Sequence, residues 1–160
     1  MCIRDRHGIV KHIKSNFGIV LLSLIFLSVT PQSNADQSVE EIIKGRKALF
    51  SKNYSTAKRV QALSSNDDFD QAKKLMIEMS ENYKTLIGMF PENTKEGFKT
   101  ESLPIIWEEK DAFNALMQKS SDNMVKLASV IEDSDDIRAT LSEFTWSSCK
   151  ACHSKYRKPH

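Results

Sequence analysis

The 160-residue chain has few of the residues that build turns, covalent staples and sheets. It contains five glycines, four prolines and three cysteines, and we find no strand-type alternation, internal repeat or low-complexity segment. Its longest uncharged apolar run, residues 17–29, is shorter than the about 20 residues of a membrane-spanning helix. These absences count against a disulfide scaffold, a sheet-based fold and an integral membrane protein, and they favour a compact helical domain.

A net charge of one sign is also missing from most of the chain. Residues 1–35 carry four basic residues and one acid, so the formal charge falls from +2 for the whole chain to about −1 for residues 36–160. Nothing there resembles a nucleic-acid footprint. Within that segment the histidines are His153 and His160, which leaves no acid–base pair and no nucleophile–histidine pair, so the sequence does not predict an enzyme.

The N-terminal segment has the pattern of a cleavable signal peptide. Four basic residues precede the apolar run 17–29, and Ser33-Asn34-Ala35 supplies the small residues of a cleavage site. We expect cleavage after Ala35 and export of residues 36–160 to the periplasm as one domain. An uncleaved anchor is the alternative.

The strongest motif lies near the C-terminus, where Cys149-Lys150-Ala151-Cys152-His153 spells C-x-x-C-H. This is the attachment signature of c-type haem, in which two thiols bond to the porphyrin and the adjacent histidine reaches the iron. A zinc site would need a second pair of ligands, which the chain does not offer. A thiol redox pair remains an alternative, although such motifs normally follow a strand.

Apolar residues recur at three- and four-residue steps throughout residues 37–157, which predicts helices. The first is expected over about 37–63, and the second from an Asp68 cap to Gly88. A third should open near Ser102, with Pro104 in its first turn, and run to Ile131. A fourth follows the acidic run 133–136. The fold class expected is all-α, an antiparallel four-helix bundle with covalently bound haem.

The order of the motifs resembles the cytochrome c′ family, the four-helix class of c-type cytochromes. The haem motif ends the last helix and is followed by Tyr156 and Arg157, as in the Cys-His-x-x-aromatic-Arg pattern of that family. Residues 90–94 are similar to its Phe-Pro-x-Gly-Thr, with Asn93 in place of the glycine, and residues 104–107 match its Pro-x-Ile-Trp. The resemblance spans essentially all of residues 36–160.

The resemblance implies roles for three further residues. Arg46 corresponds to the arginine that lies near a haem propionate, and Phe50 to the residue that faces the open side of the iron. Their spacing of four places both on one helix face. Arg157 corresponds to an arginine close to the proximal pocket, on the side of His153.

Relatives with six-coordinate iron carry methionine at the position of Phe50, and a benzene ring has no lone pair to donate. We therefore expect five-coordinate, high-spin iron with His153 as its protein ligand, open to nitric oxide or carbon monoxide. An apolar distal side without a hydrogen-bond donor should disfavour dioxygen. Electron transfer would be a secondary ability.

Two alternatives remain open at this stage. One is a dedicated low-spin electron carrier, with a sixth ligand from the second or third helix, and the other is a thiol oxidoreductase that uses the cysteine pair. The candidate methionines for the first are Met76, Met79, Met117 and Met124. The resemblance also implies a homodimer through the first two helices. The redox partner protein is not identified by the sequence.

Overall fold

The computed structural model describes residues 37–159. The predicted signal peptide and its cleavage site lie outside the described residues. None of the helices within 37–159 combines the length and the apolarity needed to cross a bilayer.

The described chain is a bundle of helices joined by short connections. The helices are α1 (Val39–Ser64), α2 (Phe69–Ile87), α3 (Ile105–Glu108), α4 (Lys110–Val130), α5 (Ile137–Leu141) and α6 (Ser147–Tyr156). A single 3₁₀ turn, Glu92–Thr94, lies between α2 and α3, and a π-helical turn, Ser142–Trp146, joins α5 to α6. Helix α2 packs against both α1 and α4. The four long helical segments of the bundle are thus α1, α2, α3 with α4, and α5 with α6.

Local capping explains where the first two helices begin. The Ser38 hydroxyl accepts from the Glu41 amide while the Glu41 carboxylate accepts from the Ser38 amide, a reciprocal capping box. Asp68 caps α2 by accepting from the Gln71 amide at 3.4 Å, and Gly88 follows its last turn. The predicted start and end of the second helix are therefore confirmed.

The third helix differs from its prediction in two ways: it starts later, and it is divided into two helices. It begins at Ile105 rather than near Ser102, because Ser102 pairs with Arg157 in an isolated antiparallel bridge and the Leu103 amide donates to the Tyr156 carbonyl at 3.0 Å. At Glu109 the backbone leaves helical geometry, with φ −115° and ψ 44°, and this break divides α3 from α4.

The last helical segment begins as predicted but contains an extra residue. The Asp136 carboxylate accepts from the Ala139 amide at 2.9 Å, which confirms the expected cap. The π-helical turn then inserts one residue into the helical repeat. As a result Thr145 is buried in the core beside Phe144, which is half-buried and packs against the same core. The turn directly precedes the haem motif.

The core is formed by side chains from all of the long helices. Aromatic rings at one end make edge-on contacts, with the Phe113 centroid 4.8 Å from Phe90 and 5.2 Å from Tyr156. Thioethers from α2 and α4 fill irregular gaps in the same core. The fully buried methionines are Met76, Met79, Met117 and Met124.

Candidate functional site

A cavity of about 560 Å³ opens within the bundle. That volume lies in the range of sites for small molecules and cofactors. Its lining comes from α1, α2, α4, the π-helical turn, α6 and the segment 100–106. All six of the sequence-predicted site residues line it: Arg46, Phe50, Cys149, Cys152, His153 and Arg157.

The haem motif contributes its three chemically active side chains to this cavity. Cys149, Cys152 and His153 lie on α6, where a separation of three or four residues keeps side chains on one face. Both cysteines are half-buried free thiols. Within residues 37–159 no cluster of three or more His, Cys, Asp or Glu side chains could hold a metal ion.

Burial makes both thiols reluctant to ionise. It raises the pKa of Cys149, although the Tyr83 hydroxyl, a hydrogen-bond partner of the sulfur, opposes that rise. Burial likewise raises the pKa of Cys152 to about 11, with a further rise from Cys149 and an opposing effect from Arg157. Near neutral pH both groups therefore remain thiols, which is unlike the acidic cysteines of disulfide exchange catalysts.

Arg46 occupies a buried position on α1, with 1% of its surface exposed. Its Nη1 donates to Thr94 Oγ1 at 2.8 Å and to the Met89 carbonyl at 3.2 Å, and its Nη2 donates to the Thr94 carbonyl at 2.9 Å and to Thr100 Oγ1 at 2.7 Å. The guanidinium also lies 4.5 Å from the centroid of the Phe90 ring. Four of its five N–H donors are thus used, and the Nε–H remains.

This network gives a physical reason for the motif at residues 90–94. Phe90 supplies the ring beneath Arg46, and Thr94 supplies two of its acceptors. Trp107 fixes the same segment by donating from Nε1 to the Phe90 and Pro91 carbonyls at 3.0 and 3.1 Å. Asn93, which replaces the family's glycine, is not among the residues with positive φ, so its side chain causes no backbone strain there.

The charge on Arg46 has no counter-ion among the described residues. Six lysine–glutamate ion pairs lie at other positions of the described chain, and none of them involves Arg46. Burial lowers the pKa of Arg46 to about 10, so the side chain is still a cation at neutral pH. An unpaired buried cation beside a cavity favours a ligand that brings a negative charge.

Arg157 follows α6 and is held by the segment 101–103. Its backbone bridges to Ser102, and its neighbours Tyr156 and Lys158 hydrogen-bond to Leu103 and Glu101. The Arg157 side chain lines the cavity, yet its buried Nε has no hydrogen-bond partner in the described part of the chain. Such an unpaired buried donor is costly unless a ligand satisfies it.

Phe50 lies one helical turn after Arg46 and lines the same cavity. Its side chain is half-buried, and its ring makes an edge-on contact with Phe90, with centroids 6.4 Å apart. Four methionines could supply a sixth ligand, and among them Met117 is a lining residue of the cavity. Met76, Met79 and Met124 are buried in the core.

The sequence reasoning missed two polar residues of the site. Asn53 lies on α1, seven residues after Arg46, and Tyr83 lies on α2; both are buried and both line the cavity. Seven residues make almost two helical turns, so the position of Asn53 on the face of Arg46 was available from spacing. Tyr83 falls in the apolar series of α2, and only its tertiary contacts with Cys149 and Asn53 reveal its role.

Comparison with known proteins relates the whole of this arrangement to one family. Residues 41–157 match the family model described as Cytochrome C′. The cytochrome c′ of Rhodopseudomonas palustris is 29% identical over 120 residues, which covers 73% of this chain and 82% of the relative. That of Rhodospirillum rubrum is 36% identical over 94 residues, which covers 58% of this chain and 60% of the relative.

Solved structures agree with the sequence matches. The recombinant native cytochrome c′ from Alcaligenes xylosoxidans superposes with a TM-score of 0.65 at 26% identity, covering 78% of this chain and 99% of that one. Cytochrome c′ from Thermochromatium tepidum gives a TM-score of 0.66 at 19% identity, with 78% and 100% coverage, and supports the fold alone. The family match includes every predicted site residue from Arg46 to Arg157.

Proposed function

Because the chain belongs to the cytochrome c′ family, we propose that it is a periplasmic haem protein whose single haem c has five-coordinate, high-spin iron that binds small gases. Membership confirms the resemblance and the helical-bundle fold, and it implies covalent haem c. The proposal for gas binding is carried by one observation: the predicted iron ligand His153 and the non-ligating ring of Phe50 line the same cavity.

The chain's residues fit the prosthetic group at both ends of the cavity. Cys149 and Cys152 would hold it by thioether bonds, in which each S–H adds across a vinyl group, and His153 would supply the axial nitrogen. When bound, the haem supplies the iron and its redox and ligand chemistry. The remaining N–H of Arg46, at Nε, would donate to a propionate, whose charge compensates this buried cation.

The open face depends on what α1 places there. Phe50 offers a hydrocarbon ring in place of a sulfur or nitrogen donor, so the iron would lack a sixth protein ligand on this side. For the alternative of a low-spin electron carrier, Met117 is the candidate sixth ligand that lines the cavity, whereas Met76, Met79 and Met124 are not among the lining residues. The alternative of a thiol oxidoreductase is disfavoured by the raised pKa values of both cysteines.

A relative supports the proposal of gas binding. One solved structure is a nitric oxide complex of a variant of the Alcaligenes xylosoxidans cytochrome c′. By analogy, nitric oxide and carbon monoxide are the ligands proposed here, together with electron exchange with a protein partner. Export by the N-terminal segment and dimerisation through α1 and α2 are part of the proposal.

The test converts the open face into a closed one. Phe50→Met in the holoprotein should place a thioether where six-coordinate relatives carry it, shift the ferric spectrum from high spin to low spin, and suppress carbon monoxide binding. Phe50→Ala should instead speed carbon monoxide binding and leave the iron high-spin. Met117→Leu is the matched control and should leave the spin state unchanged. A low-spin wild type that becomes high-spin in Met117→Leu would replace gas binding with the electron-carrier assignment.

A further inference from the structure

The cavity wall contains two buried hydrogen-bond donors without a partner. Most of the buried polar side chains on this wall are already engaged: Thr100 accepts from Arg46, Ser120 donates to the Leu116 carbonyl, Ser148 donates to the Phe144 carbonyl, and Tyr83 pairs with Cys149. The exceptions among the described residues are Nδ2 of Asn53 and Nε of Arg157. Arg157 follows His153 on the chain by four residues, just beyond the end of α6. Asn53 follows Phe50 by three residues on α1, so the two side chains share one face of that helix.

The orientation of the Asn53 amide is fixed from outside the cavity. Asn82, on α2, donates from Nδ2 to Asn53 Oδ1 at 2.8 Å. That bond occupies the carbonyl end of the Asn53 amide. Of the two N–H donors at its other end, the neighbouring Tyr83 hydroxyl can accept from one, and the second is left without an acceptor. Asn53 is 3% exposed, so water does not readily satisfy this group. A free buried amide costs of the order of 1–3 kcal/mol, which favours a ligand that accepts a hydrogen bond there.

Helix geometry separates Asn53 from the propionate end of the site. With a rise of about 1.5 Å per residue, Asn53 lies about 10 Å along α1 from Arg46 but only about 4.5 Å from Phe50. It also lies on the side of the cavity where Tyr83 pairs with Cys149. A propionate held by Arg46 is therefore a poor acceptor for Asn53, whereas a ligand on the iron face covered by Phe50 is within one helical turn.

We propose that Asn53 Nδ2 donates a hydrogen bond to a small ligand on the open face of the haem iron, with Asn82 as the positioning residue. The favoured ligands carry partial negative charge on the atom remote from the iron. This inference rests on the proposed open iron, and it replaces the expectation that the distal side lacks a donor. Asn53 thus makes the pocket selective for polar ligands, while Phe50 restricts space.

The test uses the holoprotein and two probes. In the ferrous carbon monoxide complex, a donor lowers the C–O stretching frequency, so Asn53→Leu should raise it. In the ferric protein, Asn53→Leu should weaken azide affinity about tenfold, which corresponds to about 1.4 kcal/mol. Asn82→Leu should show a smaller shift in the same direction. Asn66→Leu is the matched control, because Asn66 is exposed and does not line the cavity.

Each outcome bears on a different statement. A wild type that binds carbon monoxide but has the same stretching frequency as Asn53→Leu would overturn this inference and leave the proposed function intact. A shift to lower frequency in Asn53→Leu would also overturn it, because the amide would then present its oxygen. A wild type that takes up no carbon monoxide would overturn the proposed function itself. The wild type alone supplies a second measurement: exchange into D₂O should shift the stretching frequency, and no shift would contradict the donor.

Discussion

Replacing Arg46 by methionine should destabilise the holoprotein more than any other change of a single charged residue on α1. Arg46→Met keeps an alkyl chain of comparable length but removes the guanidinium. The acceptors on Met89, Thr94 and Thr100 then lose four hydrogen bonds. Hydrogen bonds to a charged group contribute about 1.5–3 kcal/mol each. The contributions of the four hydrogen bonds cannot be summed in full, because removing the guanidinium also removes the desolvation cost of the buried cation.

A net loss of about 3–5 kcal/mol follows, since Thr94 and Thr100 are buried and their acceptors find no replacement. For a domain of this size that loss corresponds to a fall in Tm of about 10–20 °C. The stability of Arg46→Lys should lie between that of the wild type and that of Arg46→Met. An ammonium has three donors and cannot span four acceptors in a planar fork.

The assay is thermal unfolding of the holoprotein, followed by far-ultraviolet circular dichroism and by the haem Soret band. Arg59→Met is the matched control, because Arg59 is exposed on the same helix; its effect should stay within about 0.5 kcal/mol. An Arg46→Met protein as stable as Arg59→Met would refute the reasoning that this guanidinium organises the segment 89–100.

Further outcomes are expected elsewhere in the chain. If Cys149 and Cys152 form thioether bonds, the haem of the wild type resists acid–acetone extraction and the measured mass equals the polypeptide plus one haem. Changing either cysteine to alanine should give poorly matured protein. Haem that is freely extracted from the wild type would contradict covalent attachment. Asp136→Ala should remove the cap of α5 and cost about 1 kcal/mol in unfolding free energy by denaturant titration, with an unchanged haem spectrum. Asp135→Ala, which loses no cap, is its control, and equal losses in the two variants would contradict the assignment.

Much of the fold follows from local chemistry that a sequence displays. Asp68 and Asp136 mark helix starts because their carboxylates satisfy amides within one turn. The start of α3 depends instead on a contact between segments far apart in sequence, since Ser102 is held by Arg157. Periodicity contains no information on such a contact.

The π-helical turn was hidden for a related reason. One inserted residue brings Thr145 into the core beside Phe144, and a series of three- and four-residue steps does not reveal that insertion. In the site, the haem motif and the spacing of Arg46 and Phe50 were readable from the sequence. The roles of Asn53 and Tyr83 were not, because each depends on a partner from a different helix.

We propose that His153 is the iron's protein ligand and that the opposite face of the iron is open. The most direct measurement is the absorption spectrum of purified wild-type protein, oxidised and reduced, with and without carbon monoxide. We expect a high-spin spectrum in both oxidation states, no charge-transfer band from methionine ligation, and a new Soret band when carbon monoxide is added to the reduced protein. A low-spin spectrum that carbon monoxide does not change would contradict an open iron face.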